Sequence, residues 1–327
     1  MLNTLSSCRL LFAPGSSRMT TSPPRPVFII GAPRSGTSVT TWALGQHPDI
    51  QPMPETAWIA AEAVASLQSF RLGSERGEFS HLSNVRFPFD AFLEHKGRAI
   101  DAVVHDAFAR RLMDKYGAEG RPSADQLADP EFLHIRLDPD HPKTRWVDGA
   151  PINTFYTWAL ARMFPDAQFL FHLRAPQGVI ASLEKFDVAG GVATEHEAAV
   201  AIWTEHVRAA WNTERALGPD RVFRVDFDRL QSDPEALMGD ICAFLNEPSC
   251  SECVAFLNRR LNSSGTHETD IRDTLGALAG FKEAAALYDA ITATRTETAE
   301  GREAGEQYIQ KRFESLSADR PLLGGRS

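Results

Sequence analysis

Short apolar runs alternate with longer stretches of helical spacing through most of the chain. Val27 to Ile30 is an unbroken apolar run of strand length, and Gln168–Leu173 is another. Arg145–Asp148 and Arg221–Asp226 read as further strands, and Ile50 starts a short one. Between them, apolar positions recur at helical spacing over Val39–Gln46, Ala57 to Ser69, Thr154–Phe164, Gly178–Phe186, Glu195–Leu217 and Pro234–Leu245. In Glu195–Leu217 this spacing puts Ile202, Trp203, Ala210 and Trp211 on one face, which reads as core. Strands apolar on both faces and alternating with helices predict an α/β fold, a mostly parallel sheet with helices on both sides.

Residues 70–145 break the rhythm. Glycines, charges and aromatics mix there, as in Asn84-Val-Arg-Phe-Pro-Phe-Asp90. A helix is expected over Gly97–Tyr116, from Ile100, Val103, Val104, Ala107, Phe108 and Leu112, and a proline-rich loop follows it. The region reads as a helical insertion or lid, the natural place for a second substrate. Phe87, Phe89 and Phe92 read either as an apolar acceptor site or as core. Residues 1–25 carry Arg9, Arg18 and Arg25 without an acidic residue, and are expected to form a disordered leader, either transit-like or an extended start ahead of Met19. The folded unit is expected over 26–312 as one α/β domain, with a frayed tail over 313–327.

Composition narrows the chemistry. The 327 residues carry a formal net charge of −9, which gives no global signal for nucleic acid, so any anion site must be local. No apolar run is long enough to span a bilayer. Of the cysteines, Cys250 and Cys253 form a Cys-x-x-Cys pair beside Cys242, and the nearest histidine is His267. Reduced structural thiols in a cytoplasmic protein fit better than a zinc site, and no metal is expected.

One stretch carries a binding signal. Val27 to Ile30 runs into Gly31, a loop with Pro33, Arg34 and Gly36, and then Thr37 and Ser38 at the start of a helix. A strand, a glycine-containing loop and a helix N-terminus bind phosphate through converging N–H groups and the helix dipole. Gly31-x-x-x-x-Gly36-Thr37-Ser38 has the frame of the nucleoside-triphosphate loop, but Thr37 stands where its lysine belongs, which argues against ATP or GTP hydrolysis. Arg34 supplies a cation instead, and Ser35, Thr37 and Ser38 supply hydroxyls. The fold expected is therefore P-loop-like and three-layered.

Ala32-Pro-Arg-Ser-Gly-Thr37 resembles the 5′-phosphosulfate loop of sulfotransferases that use 3′-phosphoadenosine 5′-phosphosulfate (PAPS). Phe171-His-Leu-Arg174, with Pro176 and Ser182 after it, resembles the 3′-phosphate site of the same family. The run from Pro165 into Arg174 and the segment Phe227-Asp-Arg-Leu-Gln-Ser-Asp-Pro234 are also similar, Phe227 standing where a tyrosine is common. Arg260-Leu-Asn-Ser-Ser264 is similar to a C-terminal element of bacterial members. The resemblance implies PAPS as co-substrate, held by Arg34, Ser35, Gly36, Thr37, Ser38, Arg174 and Ser182, with Arg260 and Ser264 as further contacts. Independently of the family, Arg174 follows a strand and Ser182 lies in the next helix, where open α/β sheets bind ligands.

Sulfuryl transfer needs a base for the acceptor and stabilisation of the leaving phosphate. The spacing from His47-Pro to Glu55-Thr56 resembles the tyrosylprotein and related bacterial branch, which implies Glu55 as base with Arg34 assisting the leaving group. A plainer role for Glu55 is to stabilise the start of the following helix. His81, His95 and His105 remain alternative bases. Many relatives carry a lysine where Gly149 stands in Val147-Asp-Gly-Ala-Pro151, so another group must take its role or catalysis is altered. The competing readings are a non-catalytic nucleotide-binding protein and a nucleotide kinase or NTPase. The acceptor, a small molecule, sugar or peptide, is not set by the fold.

Overall fold

The computed structural model describes residues 23–117, 141–185, 194–261, 275–276, 278–294 and 298–318. Five strands, β1 (Val27–Gly31), β2 (Ile50–Pro52), β3 (Arg145–Asp148), β4 (Gln168–Leu173) and β5 (Val222–Asp226), form one sheet in the order β2-β3-β1-β4-β5. Every pairing is parallel. From central β1 the chain runs out to β2 and β3 on one side, then to β4 and β5 on the other. The connections after β1 and β4 therefore diverge, and a crevice opens between the carboxyl ends of these two strands. Their register sets Gly31 opposite His172.

Strand alternation sends Phe28 and Ile30 to one face and Val27 and Ile29 to the other. The first face is covered by α2 (Trp58–Leu72), α3 (Phe89–Tyr116), α4 (Thr157–Met163), α5 (Pro176–Glu184) and α6 (His196–Leu217). Its centre is aromatic: Phe28 meets Trp146 edge-on at 5.5 Å and stacks on Phe169 at 5.6 Å. The second face is covered by α1 (Thr37–Leu44), α7 (Phe227–Ser232), α8 (Pro234–Leu245) and α9 (Ser251–Leu261). Cys242, Cys250 and Cys253 are buried there as free thiols. Burial raises the pKa of Cys242 to about 11, and pushes Cys253 higher still. No helix among the described residues is long and apolar enough to cross a membrane.

The expected boundaries shift in three places. Helix α3 starts at Phe89 rather than Gly97: Pro88 sits in extended backbone as N-cap, and Asp90 lies in the first turn, where a carboxylate favours the dipole. Phe89 and Phe92 pack on Phe70 of α2 at 4.8 and 5.5 Å, and Phe89 also stacks with Trp158 of α4. Arg25, assigned to the leader, is tied to the fold: its guanidinium donates to the Leu245 carbonyl at 3.0 Å, and its own carbonyl accepts from Arg145. Fraying from residue 313 is not observed, because α11 (Ala299–Ala318), which follows α10 (Ala279–Ala293), buries Phe313 completely in a stack with Trp158 at 5.4 Å.

Candidate functional site

The loop after β1 is bent by two left-handed residues, Arg34 at φ 67° and Gly36 at φ 95°. Gly36 is the N-cap of α1, and no side chain caps that helix. The first-turn N–H groups, which have no partner within the helix, are thus left for something else to engage. Space favours glycine too: a Cβ at Gly36 would meet Leu230 at 3.2 Å and the Phe227 ring at 3.3 Å.

The loop is fastened from both sides. Ser35 is fully buried, and its hydroxyl donates to the Ala32 carbonyl at 2.6 Å, so it braces the loop from within. Its carbonyl lies 3.1 Å from Nδ1 of His172. The Gly31 N–H donates to Thr154 Oγ1 at 3.0 Å. Thr37 is buried, and its carbonyl accepts from the Thr41 hydroxyl at 2.9 Å.

The two expected anion grips meet. Arg34 Nε donates to Ser182 Oγ at 3.1 Å, joining the loop after β1 to α5. Arg174 Nη1 donates to the Arg34 carbonyl at 3.0 Å. The Arg174 guanidinium lies 4.1 Å over the Phe227 ring, and the Arg174 carbonyl accepts from Trp203 Nε1 at 3.0 Å. A tyrosine hydroxyl is not needed for that stacking, so Phe227 suffices. Ser182 is the seventh residue of α5, which starts at Pro176 and so carries it nearly two turns in. Burial lowers the pKa of Arg34, and the Glu55 charge opposes that shift.

Glu55 is exposed at the mouth of the loop, where Oε1 accepts from the Ser38 hydroxyl at 2.7 Å. It does not cap α2; there the Thr56 hydroxyl accepts from the Trp58 N–H at 3.3 Å. Among the described residues the alternative histidines stay near α3: His95 faces Phe87, and His105 lies 3.7 Å from Asp101. His81 is exposed on a single helical turn, His81–Asn84. The Arg260 side chain and Ser264 lie outside the described residues.

The end of β3 holds a group that sequence reasoning missed. Asp148 is fully buried, and Oδ1 accepts from the Ala150 N–H at 2.9 Å. Burial raises its pKa to about 6; the Ala150 N–H and nearby Asn153 oppose this, and the Glu55 charge adds to it. Asp148 Oδ2 and both polar atoms of the Asn153 side chain have no hydrogen-bond partner among the described residues. The available signal was a carboxylate at the carboxyl end of a buried strand. Next to it, a Cβ on Gly149 would fall 2.0 Å from Thr41 Oγ1. Helix α1 fills the space in which a lysine side chain would begin.

The chain is similar to several known proteins. A protein-tyrosine sulfotransferase of Drosophila melanogaster is 25% identical over 224 residues, 68% of this chain and 38% of that protein. An uncharacterized protein of Aquifex aeolicus (strain VF5) is 25% identical over 229 residues, 68% of this chain and 26% of its own length. The chain thus spans well under half the length of either relative. The sulfotransferase domain of the Synechococcus PCC 7002 olefin synthase superposes with a TM-score of 0.44 at 20% identity, over 92% of this chain and 98% of that one. The profile of the sulfotransferase family matches residues 26–252, from the residue before β1 to the first turn of α9. That span takes in the whole sheet, the loop and both arginines, and on it the chain belongs to the sulfotransferase family.

Proposed function

We propose that this chain transfers the sulfuryl group of PAPS to a hydroxyl or amine acceptor. The observation that carries the reading is the junction of Arg34, Ser182 and Arg174, contributed by the connections after β1 and β4 at the crevice between them. A nucleotide with phosphate at both its 3′ and 5′ positions suits cations on two adjacent strand ends. The 5′ end would lie against the open N–H groups of α1, and the 3′-phosphate against Arg174 and Ser182.

In the transfer, the acceptor oxygen or nitrogen bonds to sulfur while the bond from sulfur to the bridging phosphate oxygen breaks. The acceptor proton passes to Glu55, and the charge left on the nucleotide is stabilised by Arg34 and the loop N–H groups. Glu55 suits the base because it is open to solvent yet held beside the loop by Ser38. The name of the Drosophila relative makes a tyrosyl hydroxyl the first acceptor to try. The acceptor would lie against the described part of the insertion, residues 70–117 and 141–145, and the buried free thiols suit a cytoplasmic setting.

Calorimetry with 3′-phosphoadenosine 5′-phosphate tests the donor reading, which fails if the protein does not bind this nucleotide at millimolar concentration. Glu55→Gln tests the base: nucleotide affinity is expected to stay while turnover falls about 10²–10⁴-fold. Full turnover in that variant would transfer the role to another group. Gly149 favours one rival, a protein that binds the nucleotide without transferring sulfate; it predicts binding and no product with any acceptor.

A further inference from the structure

His172 is the fifth of the six residues of β4 and is completely buried, yet its ring is not core filler. Nδ1 lies 3.1 Å from the carbonyl oxygen of Ser35. A carbonyl only accepts, so Nδ1 carries the proton in this contact and Nε2 is left as a bare acceptor. Nε2 has no hydrogen-bond partner among the described residues, which confines the polar role of the ring to its Nδ1 side. Burial drives the pKa down to about 4, against the pull of the Ser35 carbonyl, so the ring is neutral near pH 7.

We infer that His172 is a positioning residue that sets the anion-binding shape of the loop by fastening the Ser35 carbonyl to the end of β4. The C=O and N–H of a trans peptide point in opposite directions. Drawing the Ser35 carbonyl toward β4 therefore turns the Gly36 N–H away from the sheet, to the side from which an anion can approach. The restraint falls where it is needed, because Ser35 sits between two left-handed residues, Arg34 and Gly36. A non-glycine residue persists in that conformation only when its surroundings hold it there. The register supplies the hold: His172 pairs with Gly31, the last residue of β1 before the loop. This inference rests on the donor-binding reading for its consequence, but not for its geometry.

Two measurements test it. On the wild-type protein without nucleotide, ¹⁵N–¹H correlation spectra of the His172 ring at neutral pH are expected to show the Nδ1–H tautomer; the Nε2–H tautomer overturns the inference. Three variants then separate positioning from packing. The Asn amide nitrogen in His172→Asn overlays Nδ1, the Gln amide in His172→Gln overlays Nε2, and His172→Phe fills the space with no donor. Dissociation constants for 3′-phosphoadenosine 5′-phosphate are expected to rise about tenfold or more in H172Q and H172F and to stay within about threefold of wild type in H172N. Equal affinities in all three, or equal losses in all three, refute the positioning role. If the wild type itself binds no nucleotide, the donor reading fails, and the ring tautomer still decides whether His172 fastens the Ser35 carbonyl.

Discussion

Arg34 offers a perturbation in which stability and binding move apart. Its guanidinium donates to Ser182 Oγ at 3.1 Å, and its backbone stands at φ 67°, where a Cβ is strained. On the role proposed for it, removing the guanidinium removes charge-assisted hydrogen bonds to the anion, each worth about 1.5–3 kcal/mol. The dissociation constant for 3′-phosphoadenosine 5′-phosphate is therefore expected to rise about 10- to 150-fold in both Arg34→Ala and Arg34→Gly. The two variants differ in the backbone. Left-handed geometry costs an ordinary residue about 1–2 kcal/mol, and glycine gives back about 0.5–1 kcal/mol in unfolded-state entropy. R34G is thus expected to be more stable than R34A by about 0.5–1 kcal/mol, about 1–3 °C in Tm for a chain of this size. Calorimetry and thermal unfolding of the two proteins read both quantities. Nucleotide affinity within twofold of wild type in R34A would refute a role for this guanidinium in holding the anion, and R34A unfolding at or above the temperature of R34G would refute the strain argument.

Two further predictions concern the end of β3. Asp148 has its pKa raised by burial to about 6, so the stability it contributes is present below the ordinary carboxylate range and is lost as pH rises through 6. Asp148→Asn removes that loss, and its stability relative to wild type is expected to grow by about 2 kcal/mol between pH 4 and pH 7 in denaturant titrations; a difference that does not change with pH would contradict the buried carboxylate. Gly149→Ala places a Cβ 2.0 Å from Thr41 Oγ1 and is expected to cost about 1–3 kcal/mol. Thr41→Ala should relieve most of that cost when combined with it, so a double-mutant cycle with no coupling energy would rule the contact out.

The sheet and the loop could be read from sequence because both leave local signals. A strand buried on two faces is an apolar run, as in Val27 to Ile30, and the loop declares itself through Gly31, Arg34 and Gly36. Arg174 and Ser182 were legible through their offset after β4, whereas their contact with Arg34 depends on the pairing of β4 with β1, which no local pattern encodes. Burial of polar groups was the main blind spot. Nothing in Trp146-Val-Asp148 or Phe171-His-Leu173 announces that the carboxyl and the imidazole lie wholly inside the protein. Elsewhere distant partners decide the outcome. Phe313 looks like part of a polar tail until Trp158 stacks on it, and Phe89 belongs to a helix because Phe70 and Trp158 give its ring a place to pack.

The close approach of Gly149 to Thr41 constrains the history open to this site. A lysine at position 149 would place its first side-chain carbon 2.0 Å from the Thr41 hydroxyl, which is itself held by the Thr37 carbonyl inside α1, so it enters only at a cost in stability. The order of substitution therefore matters: a smaller residue at 41 placed first avoids the destabilised intermediate through which the reverse order passes. Ancestral reconstruction of neighbouring branches is expected to show a smaller residue at position 41 before a longer one at position 149.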